Sequence, residues 1–349
     1  MRLLKSAVPV AVMRRPAAIF MAVALGLAAC SAPGPVDRGD TSNQQDDPPP
    51  AQRTYATTAQ VLDAVKAARD IQKLPAAAAA QLTKSNFAEA QNSFDCKPKP
   101  DVPSTHFGEC AFGDPQGKKL MVMYGDSHAD TWAAALEGVA VKHGWKLRVF
   151  NQGGCPAPDL HYISEQTRTP NQDCDKFHDG AAPAIRDLHP DAVIVTSIGG
   201  LQLDGSWPSS TQWRDAWISM FRKLAQPGTR LVLLANTPSW KNNDVRCLAA
   251  HSNDVQNCSA AVADATDGGA KAGPAGVGAG YYTQGDEQSA AAAVGAQYIS
   301  PQPWICADQC EPVVADNVVY RDTSHLTQSY AEYLTGALGE ALQPVLSPA

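Results

Sequence analysis

Residues 121–132 read MVMYGDSHADTW. The apolar run before Gly125 has the length and composition of a buried β-strand, and the residues after Ser127 resemble the start of a helix. In open α/β sheets, ligands bind at this edge, where the carboxyl end of a strand meets the first turn of a helix. The helix amides there favour a developing negative charge. Ser127 is therefore either a helix cap or a nucleophile, and its role depends on the residues that surround it.

The same alternation of strand and helix recurs along the chain. Helix-like stretches separate further strand-like runs, which are KLRVF (146–150), AVIVTS (192–197), RLVLLA (230–235) and QYIS (297–300). Strands that alternate with helices form a parallel sheet covered on both faces. The pattern predicts an α/β domain with a five-stranded parallel sheet and a single closing helix over residues 326–342.

The amino-terminal residues are typical of an export signal. Residues 1–29 carry four basic residues and no acidic residue, and an apolar run follows the basic ones. This composition predicts a secretory signal peptide. The sequence LAAC at residues 27–30 resembles the lipobox of bacterial lipoproteins, which implies that Cys30 becomes a lipidated first residue. An ordinary signal peptide with a chance cysteine is the alternative.

Composition divides the remainder of the chain. A stretch rich in Pro, Asp and Gln predicts a disordered tether, because it lacks the apolar residues that a fold requires. A helical extension follows it, and then the α/β domain, which contains a long Gly/Ala-rich insertion. The predicted bounds are 30–54 for the tether, 55–84 for the extension, 85–349 for the domain and 237–285 for the insertion.

Charge excludes some partners. The formal net charge is −7, and removal of residues 1–29 would make the chain more acidic still. An acidic surface argues against nucleic acid and against attraction to anionic lipid by charge alone. We therefore expect a lipid on Cys30 to supply the membrane anchor.

The chain has nine cysteines. Cys30 accounts for one, and an even number of cysteines in an exported protein favours disulfides. The others form close sequence pairs, namely Cys96 with Cys110, Cys155 with Cys174, Cys247 with Cys258, and Cys306 with Cys310. Zinc is the alternative, but no pair of CxxC knuckles is present and no histidine has finger spacing. We expect four disulfides, no metal and no cofactor.

A serine nucleophile needs a base, because its hydroxyl is weakly nucleophilic at its own pKa. His128 is a poor candidate, since neighbouring side chains point in different directions. Residues 320–327 read YRDTSHLT, in which Asp322 and His325 are three residues apart and can meet on one face. A carboxylate beside an imidazole fixes its tautomer, as a serine triad requires. We predict that Ser127, His325 and Asp322 form such a triad.

GDSHA at 125–129 and DTSHLT at 322–327 resemble the motifs of the SGNH (GDSL-like) hydrolase family. The cysteine pairs extend the resemblance to the extracytoplasmic SGNH domain associated with acyltransferase-3 membrane proteins. The resemblance implies a flavodoxin-like, three-layer α/β/α sandwich. It also implies hydrolysis or transfer of acyl groups, with Ser127 as nucleophile, His325 as base and Asp322 as the residue that orients it.

The resemblance further implies an oxyanion hole formed by the amide of Ser127 and that of Gly153 or Gly154. The third family block carries an Asn, which is absent from TSIGGLQ at 196–202. Three further residues are candidate substrate contacts. Asp126 and His128 flank the serine, and Trp240 follows a strand; a capping role for the aspartate and a packing role for the tryptophan are the alternatives.

These observations predict O-acyl transfer, of acetyl in particular, or ester hydrolysis on a cell-envelope glycan or glycolipid. The reaction would pass through an acyl-serine, with a membrane acyltransferase as a candidate acyl donor. The protein is expected to be extracytoplasmic and lipid-anchored to the bacterial membrane. The alternative is a non-catalytic carbohydrate-binding or assembly lipoprotein that retains the fold.

Overall fold

The structure, a computed structural model, describes residues 54–84, 111–164, 167–199, 202–265 and 284–347. The predicted signal peptide, most of the tether, Cys30, and the pair Cys96 and Cys110 lie outside these residues. Their assignments stay predictions.

The strands among the described residues are β1 (Ala111–Gly113), β2 (Lys119–Gly125), β3 (Trp145–Asn151), β4 (Ala192–Thr196), β5 (Arg230–Leu234), β6 (Ala260–Ala261), β7 (Gln297–Ile299), β8 (Gln309–Cys310), β9 (Val313–Val314) and β10 (Asn317–Val318). The α-helices are α1 (Thr58–Ala67), α2 (Ala76–Lys84), α3 (Ser127–His143), α4 (Gln172–Asp187), α5 (Ser210–Leu224), α6 (Val245–Ala250), α7 (Gln284–Val294), α8 (Gln328–Tyr333), α9 (Thr335–Ala341) and α10 (Gln343–Leu346).

The central sheet confirms the predicted α/β class. Its strand order is β1-β3-β2-β4-β5-β7. The five predicted strands are parallel to one another, and β1 adds a sixth strand that pairs antiparallel with β3. The sequence-based count of five was therefore one strand too low, because the three residues of β1 are too few to show a periodicity.

Both faces of the sheet are buried under helices. Met121 and Met123 of β2 pack in a cluster with residues of α1, α3, α8 and α9. Val122 and Tyr124 pack in a second cluster, with α4, α5 and α7. Alternate residues of a strand point to opposite faces, so a continuous apolar run is what a strand covered on both sides needs. The result is the predicted three-layer sandwich.

Helix α3 directly follows β2 and leads directly into β3. The Asp126 side chain caps its first turn by accepting a hydrogen bond from the His128 N–H. Gly144 ends the helix with a φ of 68°, a left-handed conformation that glycine adopts without steric cost. These two caps fix the bounds of α3 and place Ser127 at its first position.

The amino-terminal extension packs closely on the α/β domain. A Cβ on Gly336 would lie 2.2 Å from the carbonyl oxygen of Ala56, and a Cβ on Gly138 would lie 2.9 Å from the Tyr55 hydroxyl. Glycine at both positions permits this approach. The described residues of the extension contain α1 and α2, and residues 55 and 56 pack against α3 and α9.

The predicted closing helix is interrupted. Instead of one helix over residues 326–342, three short helices follow one another, with junctions at Leu334 and Leu342. Pro344 explains the second junction, because proline lacks an N–H and its ring clashes with the preceding turn of a helix. The first junction lies next to Gly336, where residues 55 and 56 of the extension press against the helix.

The predicted insertion contains local structure at its start. The disulfide between Cys247 and Cys258 links α6 to a 3₁₀ turn at Val255–Cys258. Its Gly/Ala-rich portion, residues 266–283, lies outside the described residues. Within the described parts of the chain, no helix combines the length and apolar character needed to cross a bilayer.

Candidate active site

Ser127 lies at the carboxyl edge of the sheet. It follows β2 and is the first residue of α3. A Cβ on Gly125 would lie 2.1 Å from the carbonyl oxygen of Thr196, so glycine lets the ends of β2 and β4 approach closely. The N–H groups of the first helical turn have no partner within the helix. The hydroxyl and the amide of Ser127 therefore both lie at the carboxyl edge of the sheet.

His325 and Asp322 lie directly beside this serine. The Nε2 atom of His325 is 2.8 Å from Ser127 Oγ. Its Nδ1 atom is 2.9 Å from each carboxylate oxygen of Asp322. With Nδ1–H donated to the carboxylate, Nε2 is the acceptor for the serine proton. A serine, a histidine and an aspartate in this arrangement can act as nucleophile, general base and orienting residue.

The Asp322 carboxylate also shapes its own turn. Its Oδ1 atom accepts the N–H groups of Ser324 at 3.0 Å and His325 at 2.8 Å. Partial burial raises the pKa of Asp322, but the hydrogen bond and positive charge of His325 outweigh it and hold that pKa well below its usual range. The Asp322 carboxylate therefore stays ionised in its contact with the imidazole of His325.

The insertion holds this turn in place. The Ser239 hydroxyl and the Asn243 amide both donate to the carbonyl oxygen of Thr323. Tyr320, just before the turn, donates its hydroxyl to the carbonyl of Pro238. Sequence analysis did not identify Ser239 and Asn243 as site residues, because they reach the turn only through the fold.

His128 lies beside the triad but does not contact the Ser127 oxygen. Its side chain is 2 % exposed, and its ring centroid is 4.8 Å from that of His325. Burial, followed by the charge of His325, lowers the pKa of His128 to about 3, so the ring is neutral at physiological pH. Asn236, at the end of β5, hydrogen-bonds to it. This burial makes His128 a packing partner of His325 rather than the substrate contact that we expected.

Asp126 is likewise enclosed. It is 0 % exposed, and its carboxylate accepts the N–H groups of His128 at 2.8 Å and Ile198 at 2.7 Å. The Ser197 hydroxyl donates to it at 3.0 Å. Burial raises the pKa of Asp126 to about 6, against the lowering effect of these hydrogen bonds. The side chain acts as a cap and a link between strand ends, and it is not open to a substrate.

Gly153 and Gly154 form an exposed turn after β3. The Cys155 N–H donates to the Gln152 carbonyl at 3.0 Å, which closes the turn. Gly154 has a φ of 71°, and a Cβ on either glycine would meet nothing within 4 Å. The Gln152 N–H donates to the Gly125 carbonyl at 3.1 Å, so the turn stands next to the strand end that leads to Ser127.

Trp240 is part of the core. It is 4 % exposed, and its Nε1–H donates to the carbonyl of Cys258 at 2.8 Å. Its ring packs edge-on against Tyr320 at a centroid distance of 5.4 Å. An indole that is buried and hydrogen-bonded in this way offers no face to a sugar. The structure thus favours the packing role over the stacking role for Trp240.

Three of the predicted cysteine pairs are disulfides, namely Cys155–Cys174, Cys247–Cys258 and Cys306–Cys310. The first lies directly after the Gly153–Gly154 turn. His178 is next to it, and its Nε2 atom is 2.9 Å from the carbonyl of Pro156. Sulfurs joined in a disulfide lack the thiolate that binds metals, so this buried group of two cysteines and a histidine is structural.

Solved structures similar to this chain have low sequence identity to it. One is the lipopolysaccharide acetyltransferase periplasmic domain of Salmonella ser. Paratyphi A, with 17% identity and a TM-score of 0.47 over 65% of this chain and 84% of that chain. Another is a putative acylhydrolase of Bacteroides fragilis, with 13% identity and a TM-score of 0.37 over 75% and 98%. A third is a GDSL-like lipase of Bacteroides thetaiotaomicron, with 12% identity and a TM-score of 0.35 over 64% and 88%.

No curated protein matches the chain. A family model does match it over residues 95–340, and the family is described as the SGNH domain fused to AT3 domains. The matched range contains β2, the turn after β3 and the Asp322–His325 turn, in the order that the sequence motifs predicted. The chain therefore belongs to the SGNH domain family whose members are fused to AT3 domains.

Proposed function

We propose that this chain is a serine-dependent enzyme that transfers or hydrolyses O-acyl groups, O-acetyl in particular, on a cell-envelope glycan or glycolipid. The observation that carries the proposal is the 2.8 Å contact between His325 Nε2 and Ser127 Oγ, together with the 2.9 Å contacts between His325 Nδ1 and Asp322. Family membership supports acyl chemistry in general.

The proposed reaction has two halves. Ser127 Oγ attacks the ester carbonyl while its proton moves to His325 Nε2, and the leaving alcohol then takes that proton as the ester bond breaks. In the second half, water or a sugar hydroxyl gives its proton to His325 and attacks the acyl-serine. The bond between the acyl group and Ser127 Oγ then breaks, and His325 returns the proton to Oγ, which leaves free serine and a carboxylic acid or an acylated sugar. Asp322 holds the imidazole in the tautomer that both halves require and stabilises the imidazolium.

The negative oxygen formed in each half needs hydrogen-bond donors. We propose the amides of Ser127 and Gly153. Gly154 has a left-handed φ, which by itself accounts for a glycine there. The φ of Gly153 is not positive and no neighbour crowds its Cβ direction, so neither backbone nor packing explains its lack of a side chain. Room for a substrate oxygen next to the Gly153 amide does explain it.

We expect Gly153→Ala and Gly154→Ala to separate activity from stability. The added methyl at 153 should leave stability unchanged but obstruct the substrate, lowering kcat/KM for a small aryl acetate about 10-fold or more. The methyl at 154 should instead lower the free energy of unfolding by about 1 kcal/mol, because of its φ. Denaturant titration and steady-state kinetics measure both effects. A fully active Gly153→Ala variant would rule out the assignment of that amide.

The acyl donor and acceptor distinguish a transferase from an esterase. A transferase must hold a sugar hydroxyl close enough to compete with water for the acyl-serine. We propose that a membrane acyltransferase supplies the acyl group, since members of this family are fused to AT3 domains.

The experiment supplies an acetyl donor and candidate envelope glycans to the purified protein, and mass spectrometry follows acetate and acetylated glycan together. Acetylated glycan that requires Ser127 supports transfer. Acetate release without any acylated product, from a range of acceptors, supports an esterase.

A non-catalytic carbohydrate-binding lipoprotein is the second candidate. The observation in its favour is the lack of the family asparagine after β4, where the polar groups of Ser197 and Ile198 face Asp126 instead. A serine-directed fluorophosphonate separates the two candidates, because only an activated Ser127 reacts with it. An unlabelled, folded wild-type protein would favour the binding role.

We also propose an extracytoplasmic location with a lipid on Cys30. We expect Cys30→Ala to leave the membrane fraction or to retain its signal peptide, whereas the Cys96→Ala variant should stay membrane-bound. Cell fractionation with mass measurement of the mature protein tests this. A cleaved Cys30→Ala protein that stays on the membrane contradicts the proposed anchor.

A further inference from the structure

The segment after β4 connects the strand ends around Ser127. The Ser197 hydroxyl accepts the Ala157 N–H at 2.8 Å. Its single proton faces two acceptors, the Ile198 carbonyl at 2.7 Å and Asp126 Oδ2 at 3.0 Å. The Ile198 N–H adds a direct bond to the same carboxylate at 2.7 Å. One serine therefore links the segment after β3 to the residue that precedes the nucleophile.

The Gly153–Gly154 turn is fixed at both of its ends. Before the turn, the Gln152 N–H bonds to the Gly125 carbonyl at 3.1 Å. After it, the Ala157 N–H bonds to the Ser197 hydroxyl, and through that hydroxyl to Asp126. Both attachments lead to the two residues that immediately precede Ser127. Ser197 and Asp126 therefore hold the two proposed oxyanion donors, the amides of Ser127 and Gly153, in place relative to each other.

The linking groups are deeply buried. Ser197 is 1 % exposed and Asp126 is 0 % exposed. Water does not replace a lost hydrogen bond at such positions, and the bonds are stronger there than in water. Removal of the Ser197 hydroxyl would leave the buried Ala157 N–H without its acceptor. The segment that carries Gly153 and Gly154 would then have to shift in order to satisfy that group.

We propose that Ser197 and Asp126 are positioning residues that set the distance between the Ser127 amide and the Gly153–Gly154 turn. The inference rests on the proposed function, since it assigns these amides to the oxyanion. It gives the region after β4 a role in this chain, although the family asparagine is missing there. Ser197 acts on the proposed oxyanion hole through its hydrogen bonds to Ala157 and Asp126, and it does not touch the substrate.

The test compares Ser197→Ala with Ser197→Thr, which keeps a hydroxyl. Loss of the hydroxyl should lower kcat for a small aryl acetate about 10-fold to 100-fold with KM nearly unchanged, because donors displaced by about 1 Å stabilise the transition state poorly. Ser197→Thr should recover most of kcat. Ser210→Ala is the matched control, since that hydroxyl also donates to a carboxylate, that of Asp286 at 2.9 Å, and lies at the start of α5.

Hydrogen exchange provides a readout that does not depend on activity. Peptides covering residues 152–157 should exchange faster in Ser197→Ala than in wild type, while the peptides of α5 stay unchanged. If Ser197→Ala does not fold, Asp126→Asn takes its place, because it keeps the volume but offers one acceptor oxygen instead of two to the N–H groups of His128 and Ile198 and the Ser197 hydroxyl. Where both single variants fold, the double variant Ser197→Ala/Asp126→Asn should lose less than the sum of the single losses.

The outcomes distinguish failure of the positioning role of Ser197 from failure of the proposed function. A folded Ser197→Ala variant with wild-type kcat and wild-type exchange over residues 152–157 overturns the positioning role. A loss of kcat that Ser197→Thr does not recover, or that Ser210→Ala reproduces, overturns it as well. If wild type and Ser127→Ala are equally inactive, the proposed function fails, and the exchange of residues 152–157 alone decides whether Ser197 holds the turn.

Discussion

Ser127→Ala is expected to lower kcat for a small aryl acetate by at least about 10³-fold. Among the described residues, the hydroxyl is the only group within hydrogen-bond distance of His325 Nε2 that could form an acyl ester, and the contact is 2.8 Å. Steady-state kinetics measures the loss, and intact-protein mass spectrometry detects the acyl-serine in wild type. Ser289→Ala is the control, because that serine is exposed and lies on α7 with its hydroxyl bonded to Gly285.

The loss should not add to that of His325→Ala. When two residues act as one unit in a triad, removal of either one abolishes nearly all of the catalytic rate. The kcat of the double variant should therefore resemble that of each single variant. Losses that multiply would mean that Ser127 and His325 contribute independently. A Ser127→Ala variant that keeps a tenth of the wild-type rate would rule out the serine as nucleophile.

Much of the fold could be predicted because the strands β2, β4 and β5 each contain a continuous apolar run. A strand such as β4, buried along its whole length, shows this directly in AVIVT. The errors arose where tertiary packing decides the structure. Strand β1 exists only through its pairing with β3, and the closing helix is interrupted next to Gly336, where the extension presses against it.

The three residues proposed for catalysis could be found from sequence because their chemistry lies in two short motifs. Their surroundings could not be found in this way. Ser239 and Asn243 hold the Thr323 carbonyl across 84 and 80 residues of sequence, and Ser197 reaches Asp126 across 71. Hydroxyl and amide side chains are common in loops, so only the folded chain distinguishes these three from the rest.

Burial was the property that the sequence predicted least well. Trp240 and His128 both adjoin strand ends at the active edge, and both were expected to meet substrate. In the fold, each is covered by neighbours, the indole by Tyr320 and the imidazole by His325. A position at the sheet edge indicates proximity to the site, but exposure depends on which loop lies above it.

Asp322→Asn is expected to lower kcat about 10⁴-fold. The Asn carbonyl can still accept the N–H groups of Ser324 and His325, so the turn should persist. The amide NH₂ would face His325 Nδ1 and make that atom an acceptor. The proton would then reside on Nε2, where it prevents the imidazole from accepting the proton of Ser127.

Asp244→Asn provides a matched control for this variant. Asp244 Oδ1 accepts the N–H groups of Arg246 at 3.0 Å and Cys247 at 3.2 Å, the same local arrangement as that of Asp322, but it contacts no imidazole. If Asp322 served only its turn, the two variants would lose similar stability and little activity. A loss of about 10⁴-fold confined to Asp322→Asn would instead identify the tautomer as the cause.

Stability measured against pH separates the charge of Asp322 from its turn. Its pKa lies well below the usual range in the folded chain, so the ionised carboxylate stabilises the fold at any pH above the unfolded value of about 3.9. That contribution is lost as the pH falls below the pKa of the unfolded state, because protonation of the carboxylate then favours the unfolded chain. Denaturant titrations of wild type and Asp322→Asn should therefore differ most near neutral pH and converge on acidification. A difference that stays constant with pH would mean that the asparagine disturbs the turn and that the charge contributes nothing.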